Sequence, residues 1–398
     1  MSDMTSSFFR RLSPALIISC AAMRMVQALP AWVPQNDTLR FSGYVKETPV
    51  LRFEYDGNDQ ATDNILQARL RSRFSLAPEL SGAVEGRALL LTGDSFNKYS
   101  SVAKPYAKDA NYVDMTGAAP GVLYGTIDRA WLRYQRERVS VTVGRQRVNW
   151  GTNFVWNPND WFNAYSFLDF VYEEHAGVDG ARVEFYPGPT SGIELAANAG
   201  KEMGDRTIAG RFRTNLLSYD IHLQAGTFGE DFAAGAGWAG RILDAGFRGE
   251  ISYFHALLPD NDSIGPWDTT GVIVAALGAD YTFPSSLYFR AEVLANGFGS
   301  ESLDPATGTV SAVSAKNLSP ARYSLYGEGG YVFSPLVQSR LAVIGNPADR
   351  SFVVSPAATW TPTSDAAVDF LIQLNIGDTT SEFGSRMSIA AMLFTFSF

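Results

Sequence analysis

A chain of 398 residues with 32 Lys and Arg against 41 Asp and Glu carries a formal charge of -9. That excess has the wrong sign to displace counterions from phosphates, which argues against a nucleic-acid partner. The single cysteine, Cys20, rules out an internal disulfide framework and any multi-thiolate metal centre, and His175, His222 and His255 share no ligand spacing.

At the N-terminus, Arg10 and Arg11 precede an apolar stretch from Leu12 to Met23 and small residues around Ala28. This is the pattern of an export signal over residues 1–28, with the cut falling between Ala28 and Ala31; a retained N-terminal helix is the alternative. Beyond it no window reaches the ~20 apolar residues that a membrane-spanning helix needs. Residues 29–398 are therefore one domain that is either soluble or a barrel.

The period is two. In Asn64–Ala77, Ala68, Leu70, Phe74 and Leu76 fall on one parity and Gln67, Arg69, Arg71 and Arg73 on the other. Leu287–Ala295 and Ala367–Ile376 repeat the alternation. Taken in order, short turns lie near Pro78, Arg136–Arg138, Pro187–Ser191, Leu217–Asp220, Leu243–Asp244, Phe283–Ser286, Ser334–Pro335 and Thr361–Asp365. Longer connections fall between them: Asp56–Asp63, Asp94–Gly121, Asn149–Ala176, Lys201–Asp205, a tight Gly229–Asp231, Leu258–Thr269, Gly299–Pro320, Gly345–Arg350 and Gly377–Ser385. Eight turns and nine loops link eighteen strands in an all-β, up-and-down antiparallel transmembrane barrel, in which a first strand from Leu39 to about Lys46 pairs with the last; sixteen is the rival count.

Asn149–Ala176 is aromatic beyond what a solvated loop explains, with Trp150, Phe154, Trp156, Trp161, Phe162, Tyr165, Phe167, Phe170 and Tyr172. Asn157-Pro158-Asn159-Asp160 reads as a capped turn leading into a short helix. The loop is expected to fold into the lumen and constrict it; the alternative is an aromatic plug that braces the wall without touching solute.

Arginine on a lipid face costs ~2–4 kcal/mol at the midplane, which sends the polar parity inward. The expected pore lining is Arg69, Arg71, Arg73, Arg129, Arg133, Arg182, Arg211, Arg213 and Arg290, with Glu184, Glu194, Glu250, Glu292 and Asp369 among them. Each arginine is either a solute contact or salt-bridged wall support. Arg145 stays ambiguous, because its parity follows Val139, Val141 and Val143 unless a bulge intervenes. The acidic patches Asp56–Asp59 and Pro259–Asp262 lack the full spacing of a calcium loop and read as solvated turns.

Met387–Phe398 alternates, with Phe394, Phe396 and Phe398 on one parity. A terminal Phe closing such a strand, together with Val143-Gly144-Arg145-Gln146 and Asn149-Trp150-Gly151, resembles the outer-membrane porin superfamily of Gram-negative bacteria. More loosely, the segment is similar to one in alginate-export-type and phosphate-selective porins. The resemblance covers essentially everything after the leader. It implies an outer-membrane location, passive diffusion of small hydrophilic solutes or ions, a functional loop starting at the Trp-Gly segment, and assembly machinery that reads Phe394, Phe396 and Phe398. It further implies lipopolysaccharide and periplasmic chaperones as partners, and it allows a homotrimer. No cofactor, metal or catalytic set is assigned. The alternatives are a barrel hydrolase, a polysaccharide exporter, or a soluble carbohydrate-binding β-protein; for the hydrolase, His175 beside Glu173 and Glu174 sits in no nucleophile motif.

Overall fold

A computed structural model describes residues 38–54, 60–95, 113–114, 121–165, 167, 177–200, 203–257, 271–300, 313–385 and 387–398. The leader, both acidic patches, Phe170, Tyr172, Glu173, Glu174 and His175 lie outside the described residues.

Alternation of apolar and polar residues becomes a wall of antiparallel strands. They are β1 (Leu39–Glu54), β2 (Gln60–Ala77), β3 (Leu80–Gly93), β4 (Val113–Asp114), β5 (Val122–Arg136), β6 (Val139–Gln146) and β7 (Val178–Phe185). Next come β8 (Gly192–Asn198), β9 (Thr207–Leu216), β10 (Tyr219–Phe228), β11 (Asp231–Ile242), β12 (Ala245–Ala256) and β13 (Val272–Thr282). The circuit ends with β14 (Leu287–Asn296), β15 (Tyr323–Ser334), β16 (Val337–Asn346), β17 (Ser351–Thr363), β18 (Ala366–Ile376) and β19 (Met387–Ser397). β4 is a two-residue strip beside β5, so eighteen strands form the wall.

Closure is direct. β19 pairs antiparallel with β1, from Tyr44 opposite Ser397 to Glu54 opposite Met387. Gly43 and Phe398 exchange N–H···O bonds of 2.9 and 3.0 Å, so no edge is left unpaired at this seam, as a bilayer requires. The short and long connections alternate as the spacing predicts. At the β9–β10 turn Leu217 and Ser218 both take positive φ, 52° and 65°, the twist that suits a two-residue hairpin.

β1 and β2 extend further than the sequence suggests, to Glu54 and from Gln60. The ladder holds past Pro49, and Arg52 Nε donates to Asp63 at 2.8 Å across it. Side-chain direction follows the expected parity: Arg69 is 2% exposed and Leu70 is 49% exposed. The outward set, including Leu132, Val143, Leu195 and Ile208, forms the apolar belt that lipid would cover. A bulge breaks parity once on β5, where Glu85 faces Arg129 and Gly86 faces Ile127. Asp128 is the extra residue, and it and Arg129 are both buried.

Candidate functional site

After Gln146 the chain leaves the wall and runs across the interior. The described part of this loop, 147–165 and 167, lies against β8 to β15 rather than along the axis. The reason is in the wall, whose buried inner positions there include Ala196, Ala209, Ala233 and Ala276. Small side chains leave room for Trp150, Val155, Trp156, Trp161 and Phe162, all buried in one cluster. Trp150 packs edge-on to Phe162 with centroids 5.1 Å apart, and Trp161 meets Phe254 at 6.2 Å. Phe167 is edge-on to Tyr326 at 5.0 Å. A buried aromatic removes ~150–250 Å² from water, on the order of 4–6 kcal/mol before ordering costs. The short helix expected after Asp160 is only a turn at 161–163. Here the backbone is held by the wall instead of by itself.

Two wall carboxylates do that holding. Glu250 on β12 accepts from the Thr152 N–H, from Thr152 Oγ1 at 2.8 Å, from the Asn153 N–H at 3.2 Å and from the Asn159 N–H at 2.9 Å. Glu292 on β14 accepts from the N–H groups of Phe154, Val155 and Trp156 at 2.9, 3.2 and 2.7 Å. An irregular buried loop would otherwise strand these donors, and charged acceptors bind them more strongly than neutral ones. Asn159 adds a third anchor: its amide donates to Ala236 O at 2.8 Å and faces His222 Nε2 at 3.1 Å, while Gln224 donates to its carbonyl at 2.9 Å. Ser252 donates to Pro158 O at 2.8 Å.

Asp160 is 1% exposed at the root of the turn. Burial, reinforced by the nearby Glu250 charge, pushes its carboxyl up to about 7, against the lowering effect of the N–H groups of Trp150 and Asn163 and of Arg147.

The arginines divide into two kinds. Arg69 is locked between Glu85 at 2.8 Å and Asp128 at 2.6 Å, with Arg87 3.7 Å from Asp128. Arg71 and Arg73 approach Glu85 at 3.9 and 4.0 Å, and the Arg73 side chain is largely exposed. Arg129 donates to Asp128 O, and Arg133 donates to Thr142 Oγ1 while lying 5.1 Å over Trp131. Arg182 bridges Glu184 at 3.3 Å and Glu194 at 3.7 Å. Arg211 pairs with Glu194 at 2.7 Å and covers Trp150, whose Nε1 donates to the same carboxylate at 2.9 Å. Arg213 sits 5.6 Å over Tyr186. Arg290 pairs with Glu328 at 2.9 Å, and with Arg248 it flanks Phe154, their guanidinium carbons 5.3 and 3.8 Å from the ring centre. Asp369 accepts from Thr359 Oγ1 at 2.5 Å.

Sequence reasoning missed Glu85, Arg87, Asp128, Arg248 and Glu328. Glu85 and Arg87 share the inward parity of β3 with Leu89, a signal that was readable. Asp128 was not, because the parity of Arg129 and Arg133 would turn it outward, and only the bulge lets it and Arg129 both face inward. At the closing seam, Phe394 and Phe396 lie on the outward parity of β19, opposite Glu47 and Val45, and the Phe398 ring packs over Gly43. Among the described residues no cluster of His, Cys, Asp and Glu is arranged to hold a metal ion.

No protein-family model matches the chain, and no curated protein matches it by sequence. Solved structures do. OccAB4 of Acinetobacter baumannii superposes with a TM-score of 0.58 over 92% of this chain and 99% of its own, at 9% identity. OccK5 (OpdH) of Pseudomonas aeruginosa gives 0.59 over 91% and 98%, at 8% identity. The outer membrane protein OprD of the same organism gives 0.55 over 90% and 93%, at 7% identity. What the chain shares with them is the fold, the closed antiparallel barrel of outer membrane proteins such as OprD. Within this barrel the loop after β6 occupies the interior, held to one side of it by Glu194, Glu250 and Glu292.

Proposed function

We propose that the protein is an outer-membrane channel for passive diffusion of small hydrophilic solutes or ions, narrowed by the loop that follows β6. The observation that carries this reading is the pinning of Thr152–Trp156 and Asn159 to Glu250 and Glu292 inside a closed, charge-lined barrel. A fixed narrowing in a polar lumen sieves by size, and fixed charges beside it tune ion preference. Trp150, Phe154, Trp156, Asp160, Trp161, Phe162, Tyr165 and Phe167 build the constriction. Arg71, Arg73, Arg133 and Arg213 are the lining cations that meet solute, while Arg69, Arg182, Arg211 and Arg290 chiefly brace the wall through their carboxylate partners. Residues 1–28 direct export, lipopolysaccharide surrounds the outer loops, and the barrel-assembly machinery engages the strand ending in Phe398. No chemical step belongs to this reading.

The test is single-channel conductance of the refolded protein in a planar bilayer under a salt gradient. Stable open steps are expected, and their conductance should grow when Thr152–Asp160 is replaced by a short Gly-Ser linker. A heat-modifiable, folded barrel that passes no current would overturn the channel reading, and unchanged conductance on linker replacement would overturn the constriction.

A further inference from the structure

Where the constriction loop departs, the wall itself is interrupted. β5 pairs with β6 only between Ala130–Arg145 and Arg136–Val139, and with β4 only at Tyr124 and Gly125. Among the described residues, Thr126–Arg129 therefore have no strand beside them on that side, and the same stretch contains the bulge at Asp128. Peptide carbonyls left bare in a membrane wall are costly. Two guanidinium groups meet them: Arg145 Nη1 donates to Ile127 O at 3.1 Å and Arg129 Nη1 to Asp128 O at 2.7 Å.

Arg145 does more than fill the gap. Its other edge forms a two-pronged pair with Asp179 on β7, Nε to Oδ1 at 3.0 Å and Nη2 to Oδ2 at 2.7 Å. One planar side chain thus reaches from β5 across the end of β6 to β7, a span that suits the rigid fork of arginine and not the point charge of lysine. The backbone is cut to fit it. Gly144 takes φ +109°, and a Cβ there would lie 2.3 Å from Ala130 O. A Cβ on Gly177 would lie 2.5 Å from Asp128 O and 2.8 Å from Arg145 Cγ, so glycine at that position lets the start of β7 close against β5. Three residues beyond Arg145, the Val148 N–H already donates to Asn163 of the loop at 3.1 Å.

We infer that Arg145 pins the root of the constriction loop: it ties β5 to β7 where β6 turns inward and so fixes the direction in which residues 147–149 enter the lumen. It is a positioning residue, and the inference rests on reading the loop as the constriction. The sequence left Arg145 undecided between lumen and lipid. The pairing register runs unbroken from Val139 to Gln146, and the side chain lies in the seam between the two.

The test uses the full chain in planar bilayers, comparing wild type with Arg145→Gln, Arg145→Lys and Asp179→Asn, each with and without the Thr152–Asp160 linker replacement. Arg145→Gln is expected to give folded, heat-modifiable channels whose open-state current noise rises several-fold with added sub-levels. Arg145→Lys should not restore the quiet state, since one ammonium cannot serve Ile127 O and Asp179 together. In the linker background Arg145→Gln should add no noise. Wild-type noise in folded Arg145→Gln channels, or an equal rise with the loop tip removed, would overturn the inference. If Arg145→Gln fails to fold, Asp179→Asn, which loosens only the β7 prong, supplies the same reading. Linker replacement without any change in conductance would instead sink the constriction reading itself, so the two failures are distinguishable.

Discussion

Asp160 gives the loop a pH dependence whose sign can be worked out. Its carboxyl is held at about 7 in the docked loop against 3.8 in water, so the docked form keeps the proton more tightly. Docking is then strongest below the aqueous value, weakens as pH rises from there, and stops changing above about 7. Open-channel noise should accordingly rise from about pH 5 to about pH 7 and level off, while Asp160→Asn channels stay quiet throughout; a wild-type channel that becomes noisier on acidification would contradict the assignment. The two clamping carboxylates act differently, because each serves three backbone donors. Glu292→Ala orphans the N–H groups of Phe154, Val155 and Trp156, at a cost on the order of 1–3 kcal/mol for each. Its channels should conduct more than wild type and lose heat-modifiable stability. Glu292→Gln, which keeps one acceptor, should fall between them, and an order reversed between these two variants would argue against the clamp.

At the scale of elements, the alternating strands were legible because lipid outside and polar lumen inside impose a strict period of two, and the turn chemistry at Leu217–Ser218 or Leu243–Asp244 marks where it stops. The length and aromatic content of the loop after β6 were legible for a similar reason, since such a segment must find something to pack on. What it packs on was not. Glu250 and Glu292 lie 98 and 138 residues from Thr152 and Phe154 in sequence, and only the closed register brings them under it. The helix expected after Asp160 stops at one turn, where the Asp160 N–H goes to Asn157 O, the Trp161 N–H to Asn159 O and the Asn163 N–H to the Asp160 carboxylate. The Asp128 bulge was invisible because Thr126–Arg129 reads as continuous alternation until β3 is laid beside it. The bed of small residues can be tested directly. Ala233, fully buried on β11, replaced by Leu should displace the indoles packed in that cluster at ~1–3 kcal/mol, seen as increased acrylamide quenching of tryptophan fluorescence; unchanged quenching would show that the bed has slack.

For the whole molecule, stability depends on a circuit that must be complete, because each strand has only its two neighbours and the loops that cross behind it. At the join of β1 and β19 a Cβ on Gly43 would stand 2.3 Å from Arg69 O and 2.6 Å from the Phe398 ring. Gly43→Val is therefore expected to lower the temperature at which the barrel loses its compact migration in gels, whereas Gly86→Ala, whose Cβ meets nothing closer than 3.6 Å, should not; equal effects would remove any special weight from the seam.

The one-sided docking of the loop divides the circumference into unequal halves for natural variation. Strands β8 to β15 carry an apolar outer face and, on the inner one, a packed protein surface, so their inner residues are constrained by volume. On β17 the cluster reaches only Val353, and the inner positions Ser355, Ala357 and Thr359 of β17 and Gln373 of β18 lie outside it. In the proposed channel, divergence in what is admitted can accumulate at those positions at little cost to folding, while the opposite arc changes slowly and keeps the loop in place.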